Sequence, residues 1–358
     1  MNDVSTQRRS TPPPAAAAPP APWSERFAVV VNGNARRADA DLVAVLDEIV
    51  ASGDLFVSRS LDEGREIARL VVERGYPTVL TGGGDGTFTQ TVTWIVREAE
   101  RRGVPPPRFG LLRLGTGNAL AWVVGAGRDR RRGVLQDLLR LRDAGSRSLR
   151  LLDVEGTLTM FAGVGVDAVA LLHFAQVKRA FARVPLLRRV ATGGIAYTVS
   201  IVGRTLPEYL VRPRHRVRVV NEGADAYFLD AQGRPVRTIA PGEIVFEGTC
   251  RMVCASTIPY WGFGARIFPF AEEREDRFSL RIVDIDSLDV VRHIRDIWSG
   301  RYRSERLHDV LAERVTVELE QPVALQVGGE AVGERRRVCF ALHPRPIRVV
   351  DHYAPPGT

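Results

Sequence analysis

One lysine, Lys178, stands among the 50 basic residues of this 358-residue chain, and that scarcity removes two large classes of phosphate chemistry. The Walker loop and the protein-kinase strand each need a lysine beside a glycine-rich turn. Lys178 lies far from any such turn, so a phosphate site here has to use backbone, arginine and a metal. Cysteine is nearly as scarce. Cys250, Cys254 and Cys339 give neither a disulfide framework nor a zinc set of workable spacing, which points to a reducing interior. Cys250 and Cys254 are four apart in a strand-like run and are expected to face the same side as small apolar residues. No run reaches the roughly 18 apolar residues of a membrane-crossing helix. The opening stretch "TPPPAAAAPPAP" also lacks the continuous apolar segment of a secretory signal. The expectation is a protein that is soluble or peripherally attached to a membrane.

What is present is hydrophobic content of 45%, enough for real cores in two ordinary domains, and a net charge of +8 carried almost wholly by arginine. Such a balance suits anionic partners, whether membrane surfaces, nucleic acid or phosphate-bearing ligands. No groove pattern of interleaved aromatic and basic residues accompanies the charge, so nucleic acid is not an expected partner. Clusters such as "RDRRR" (128–132) and "ERRR" (334–337) read as solvated faces.

The most informative stretch is "TVLTGGGDGTFTQ" (78–90), where an apolar strand runs into Gly82, Gly83, Gly84 and Gly86 around Asp85. Fixing that many glycines costs conformational entropy, so the backbone either turns sharply or admits something close. Successive amides in a glycine turn followed by a helix form an anion-binding concavity. The G-x-G-x-x-G spacing fails, because the third glycine falls on Thr87 or Thr89.

Around this loop, "RFAVVVNGNA", "LFVSRS", "PTVLTGGG" and "FGLLRLGTGNALAW" read as strands separated by helical periodicities such as "DEGREIARLVVERG". Alternation of this kind implies a parallel sheet whose ligands bind at the carboxyl ends of the strands, where Asn32, Ser60, Gly82 to Thr87 and Gly115 to Asn118 all fall. Beyond about residue 148, short strands dominate, among them "TMFAGVGVD", "CRMVCAST", "FSLRIVDI", "RVTVELE", "VALQVGG" and "IRVVDH", which suggests an antiparallel, sandwich-like domain. A helical insertion at 167–206 mixes apolar and cationic residues and reads equally as a helix pair covering the sheet or as an interfacial surface, in which case its 174–204 part, with Lys178, Arg179, Arg183, Arg188 and Arg189, is the candidate membrane contact.

Together "VNGNAR" (31–36), "GGDGT" (83–87), "LGTGNALA" (114–121), "AGVGVDA" (162–168), "EDRFSLRIV" (275–283) and the closing "VGGE" (327–330) resemble, in order, the motifs of the diacylglycerol kinase catalytic family, in its bacterial soluble lipid-kinase branch. The Pro/Ala-rich composition of 1–25 reads as a disordered leader, and the resemblance implies an ATP-binding α/β domain over 26–147 and a β-rich lipid-kinase domain over 148–352. It further implies ATP and Mg²⁺ as cofactors and phosphoryl transfer to a lipid at the membrane surface. A cytoplasmic location follows, and a homodimer is a further expectation. Carried over by position, Gly83, Gly84, Asp85, Gly86 and Thr87 hold the nucleotide phosphates, Asn32, Ser60 and Thr116 contact ATP, and Mg²⁺ sits near Asp85. Arg36 or Arg37 supplies a cation. Asp276, with main-chain ligands near Glu273 and Phe278, corresponds to a second, structural Mg²⁺ site.

The departures are specific. Ala119 stands for the family's aspartate, Thr89 and Gln90 for its Asn-Glu, Arg277 for its glycine, and Gly328 for the first carboxylate of its Asp-Gly-Glu segment. Glu330 is therefore the remaining carboxylate to take the proton of the attacking hydroxyl, with Asp85 as the other catalytic candidate. Restoring the aspartate by Gly328→Asp is expected to leave activity similar or higher. Two alternatives stay open at this point: a soluble-substrate kinase such as NAD kinase, and a catalytically silent lipid- or nucleotide-binding protein of the same fold.

Overall fold

A computed structural model describes residues 26–33, 46, 50, 54–115, 118–127, 130–166, 168 and 214–355. The apolar runs near its N-terminus form a parallel sheet whose inner strands are buried on both faces. β1 (Phe27–Asn32) lies between β2 (Leu55–Ser58) and β3 (Thr78–Gly83), and β4 (Arg108–Arg113) pairs with β3. α1 (Leu61–Glu73) and α2 (Asp85–Arg102) supply the crossovers to β3 and β4. α3 (Ala119–Val124) and α4 (Arg130–Arg140) then lead to β5 (Gly145–Leu149).

β5 does not pair with β4. Between them runs the strand Ile347–Asp351, parallel to β4 and antiparallel to β5, so the chain leaves this sheet, builds a second one and returns. The segments 26–147 and 148–352 are contiguous in sequence, whereas the two sheets are not.

The second sheet has twelve strands among the described residues. Its spine is the long strand Arg314–Val327, which pairs with His215–Asn221 along its first half and with Phe161–Gly165 along its second. The change of partner coincides with a register shift between Glu318 and Val323, the kind of irregularity that bends a strand. The runs "RVTVELE" and "VALQVGG", expected as two strands, are therefore one bent strand. Val217, Val253, Leu280, Val317, Leu325 and Phe340 fill the core of this sheet. An α/β sheet followed by a large antiparallel sheet is the fold class expected from the sequence.

The two cysteines expected on one side part company. Cys250 ends the strand Ile244–Cys250 and joins that core, while Cys254 lies in Met252–Ser256 and packs with Phe268 and Ile285. The apparent single run breaks at Arg251, which restarts the alternation. A further core is shared by both halves of the chain, since Phe88, Val92 and Leu120 pack with Leu158, Met160, Phe161 and Ile258. The leader and the 167–206 insertion, with the membrane contact expected there, lie outside the described residues apart from Ala168.

Candidate active site

The strand ends level at one edge of the parallel sheet. Asn32 closes β1 beside Ser58, and Gly83 closes β3 beside Arg113 of β4. From Gly83 the chain enters α2 at once, with Gly84 as N-cap and no side chain capping it. The first-turn amides of an 18-residue helix thus face the loop with the positive end of the helix dipole.

The glycines of this loop serve space rather than unusual backbone. None of Gly82, Gly83, Gly84 and Gly86 lies in the left-handed region. A Cβ on Gly83 would stand 2.5 Å from the Cβ of Thr87, and one on Gly86 would stand 2.8 Å from Oε1 of Glu330. The second glycine turn presses against the first. The Gly115 amide donates to the Gly83 carbonyl at 2.7 Å, and a Cβ on Gly115 would fall 2.2 Å from the Cα of Gly84.

Asn32 spans from β1 to α2, its Nδ2 donating to Oγ1 of Thr87 at 3.2 Å. Asn118 is fully buried with φ 35°, donates from Nδ2 to the Gly115 carbonyl at 2.8 Å, and has a buried Oδ1 without a hydrogen-bond partner. Ser60 is exposed and acts as the N-cap of α1, accepting from the Glu63 amide at 3.1 Å. Thr116, Arg36 and Arg37 lie outside the described residues.

Asp85 does not face outward from the loop. Its carboxylate is buried and accepts the Ala119 amide at 2.7 Å and the Leu120 amide, so a side chain from α2 caps α3. Burial pushes its carboxyl up to about 6, with those amides and Arg113 pulling the other way. Arg113 is a site residue that the sequence motifs do not mark. It ends β4, bears electrostatically on Asp85 and lies over the Trp122 ring, 5.7 Å from its centroid. An arginine as the last residue of an apolar strand, "LLR", beside a glycine turn is the signal that could have found it. Trp122 in turn stacks near Tyr260, tying α3 to the second half of the chain.

The second sheet contributes Glu330. Gly328 (φ +59°) and Gly329 (φ +85°) form the two-residue turn between Arg314–Val327 and Glu330–Leu342. Positive φ at both positions is the demand of a type I′ hairpin turn, which glycine meets without strain. This turn holds the exposed Glu330 against Gly86 in the first turn of α2. Gly328 has no room for a side chain, because its Cβ would stand 2.3 Å from Oγ1 of Thr89. The expectation that an aspartate there is harmless is thereby corrected, since Thr89, itself a departure, fills the space.

Two metal positions were expected. No group of three ligating side chains occurs among the described residues. A nucleotide's Mg²⁺ takes most of its oxygens from phosphate and water and needs only one or two carboxylates. The exposed Glu330 beside the first turn of α2 fits that smaller demand, whereas the Asp85 carboxylate is turned inward onto the Ala119 and Leu120 amides. The second position does not fit. The Asp276 carboxylate is held by Arg274 through two hydrogen bonds of 2.9 Å and by Arg277 at 2.9 Å, so guanidinium groups occupy the oxygen a metal would take.

A crossover sheet with two glycine turns at its carboxyl edge, closed by a hairpin from an antiparallel sheet, defines a two-domain α/β-plus-β protein. Residues 26–152 match the family model described as the diacylglycerol kinase catalytic domain. Two solved structures from Bacillus anthracis str. Sterne, provisionally assigned as diacylglycerol kinases, share the fold. One is 13% identical with a TM-score of 0.62, covering 92% of this chain and 98% of that one. The other is 12% identical with a TM-score of 0.63, covering 92% and 97%. A search of curated proteins finds no match to this chain.

Proposed function

We propose that this chain is an ATP-dependent kinase acting on the hydroxyl of diacylglycerol or a related long-chain lipid. The observation that carries the reading is the pairing of Glu330, from the second sheet, with the uncapped start of α2 in the first. It puts a proton acceptor beside a phosphate cradle. The family match of 26–152 supports the reaction class.

In this reading the amides of the glycine loop and of the first turn of α2 bind the nucleotide phosphates. Mg²⁺ carried in with ATP would be held by phosphate oxygens and water and would neutralise phosphate charge, with the buried Asp85 charge behind the loop. Asn32 and Thr87, joined by their hydrogen bond, fix the loop against β1. Asp85 caps α3 and so sets the height of the Gly115 turn. Glu330 takes the proton of the lipid hydroxyl as its oxygen attacks the γ-phosphorus. The bond from phosphorus to the bridging oxygen breaks, and ADP leaves with that electron pair.

A lipid substrate requires docking at a bilayer. α5 (Ser287–Arg292) and α6 (Ile294–Trp298) expose Leu288 (75%), Val291 (54%), Ile294 (48%) and Trp298 (41%), flanked by the exposed Arg292 and Arg295. An apolar row edged with arginine suits an anionic lipid interface. No helix among the described residues is long and apolar enough to cross a membrane. The test is a mixed-micelle panel of diacylglycerols, long-chain alcohols and soluble acceptors including NAD, with Mg²⁺ and radiolabelled ATP. Labelled lipid supports the proposal. Labelled soluble product alone, or ATP binding without turnover, refutes it.

A further inference from the structure

The turn that opens the strand Phe278–Val283 is built around a charge. Arg277 is nearly buried, its side chain only 8% exposed, and its guanidinium donates three hydrogen bonds to oxygen. Nε donates to the Asp225 carbonyl at 3.0 Å, and Nη1 donates to the Asp276 carbonyl at 2.8 Å and to the Asp276 carboxylate at 2.9 Å. Arg274 takes the same carboxylate bidentately and lies over the Tyr227 ring, 4.9 Å from its centroid, with Arg277 at 5.8 Å. Asp276 is thus held below the ordinary carboxylate range, chiefly by Arg274.

One carboxylate and main-chain carbonyls are the oxygen donors that a hard divalent cation collects. Here they converge on a guanidinium, which presents its donors in a rigid fork and stays charged at any pH the fold survives. A metal approaching Asp276 would have to displace one arginine and lie beside the other. The contacts also join distant parts of the chain, because Asp225 immediately precedes the strand Ala226–Leu229, near the far edge of the same sheet. We infer that Arg277 is the resident cation of this turn, so that the second sheet is held together without a divalent metal.

The inference is independent of the kinase reading, and its test needs no activity. The full chain is unfolded thermally in EDTA and in millimolar MgCl₂, alongside Arg277→Gly and Arg277→Lys in EDTA. The wild type is expected to melt at the same temperature in both solutions. Arg277→Gly is expected to melt at least about 4 °C lower, from the loss of charge-assisted hydrogen bonds in a domain of this size. Arg277→Lys, which keeps the charge but loses the fork, falls between them and serves where the glycine variant does not fold. A wild type that loses several degrees in EDTA and regains them with Mg²⁺ overturns the inference. Arg277→Gly or Arg277→Lys as stable as the wild type overturns it equally.

Discussion

Asp85→Asn separates what the site requires from what the fold prefers. The Asp85 carboxyl is pushed from 3.8 up to about 6 by burial, despite the Ala119 and Leu120 amides and Arg113. At about 1.4 kcal/mol per pH unit, keeping the ionised form at neutral pH costs the folded chain about 3 kcal/mol. The folded state binds this proton more tightly than the unfolded chain, so stability falls as pH rises from about 4 to about 6, then levels off. Asparagine has the same shape, carries no charge, and its Oδ1 accepts the Ala119 amide. Urea unfolding of both proteins near pH 4 and near pH 8 reads the difference. Asp137, also raised to about 6, and His308 and His352, pushed down by burial, titrate alike in both proteins and cancel. The variant is expected to gain about 3 kcal/mol on the wild type across that range while losing most turnover near pH 8. Parallel stability profiles for the two proteins would refute the burial argument, and unchanged turnover would refute the role of the charge.

Glu330→Gln is expected to lower turnover by a factor on the order of 10² or more with ATP affinity little changed, read by steady-state kinetics beside equilibrium binding; wild-type turnover removes Glu330 as proton acceptor. Gly328→Asp places a side chain at φ +59° against Thr89, and is expected to cost about 1–3 kcal/mol in chemical unfolding and to lower activity. A variant as stable and active as the wild type contradicts the hairpin geometry. Binding to anionic vesicles should weaken as salt rises, and the double variant Leu288→Ser, Trp298→Ser should bind several-fold more weakly in a sedimentation assay. Salt-independent binding, or none, argues against docking through α5 and α6.

The parallel half of the fold was readable because its signals are local. Apolar runs of strand length alternate with helical periodicity, and Ser60 three residues before Glu63 marks the start of α1. The glycine loops at the strand ends placed the candidate site by the same logic. What escaped was set by partners distant in sequence. "IRVVDH" reads correctly as a strand, yet nothing in those residues says that it joins the first sheet rather than the second. Pro235–Ile239 exposes four of its five residues, so it shows no inward alternation to read. Asp85 looked like a ligand at a loop mouth because burial by α3 is not a property of "GGDGT". The consequence of Gly328 was invisible until Thr89 stood opposite it.

The strand Ile347–Asp351 has a consequence for how the protein is made. About 200 residues separate it from β5, and synthesis at roughly 5–20 residues per second delays it by about 10–40 s. Through that interval the slot between β4 and β5 stands open, with Phe109 and Leu111 lacking the cover of Ile347 and Val349. An open sheet edge of this kind invites pairing with other chains. The family-matched segment 26–152, expressed alone, would keep that edge permanently, so it is a unit of homology and not of folding.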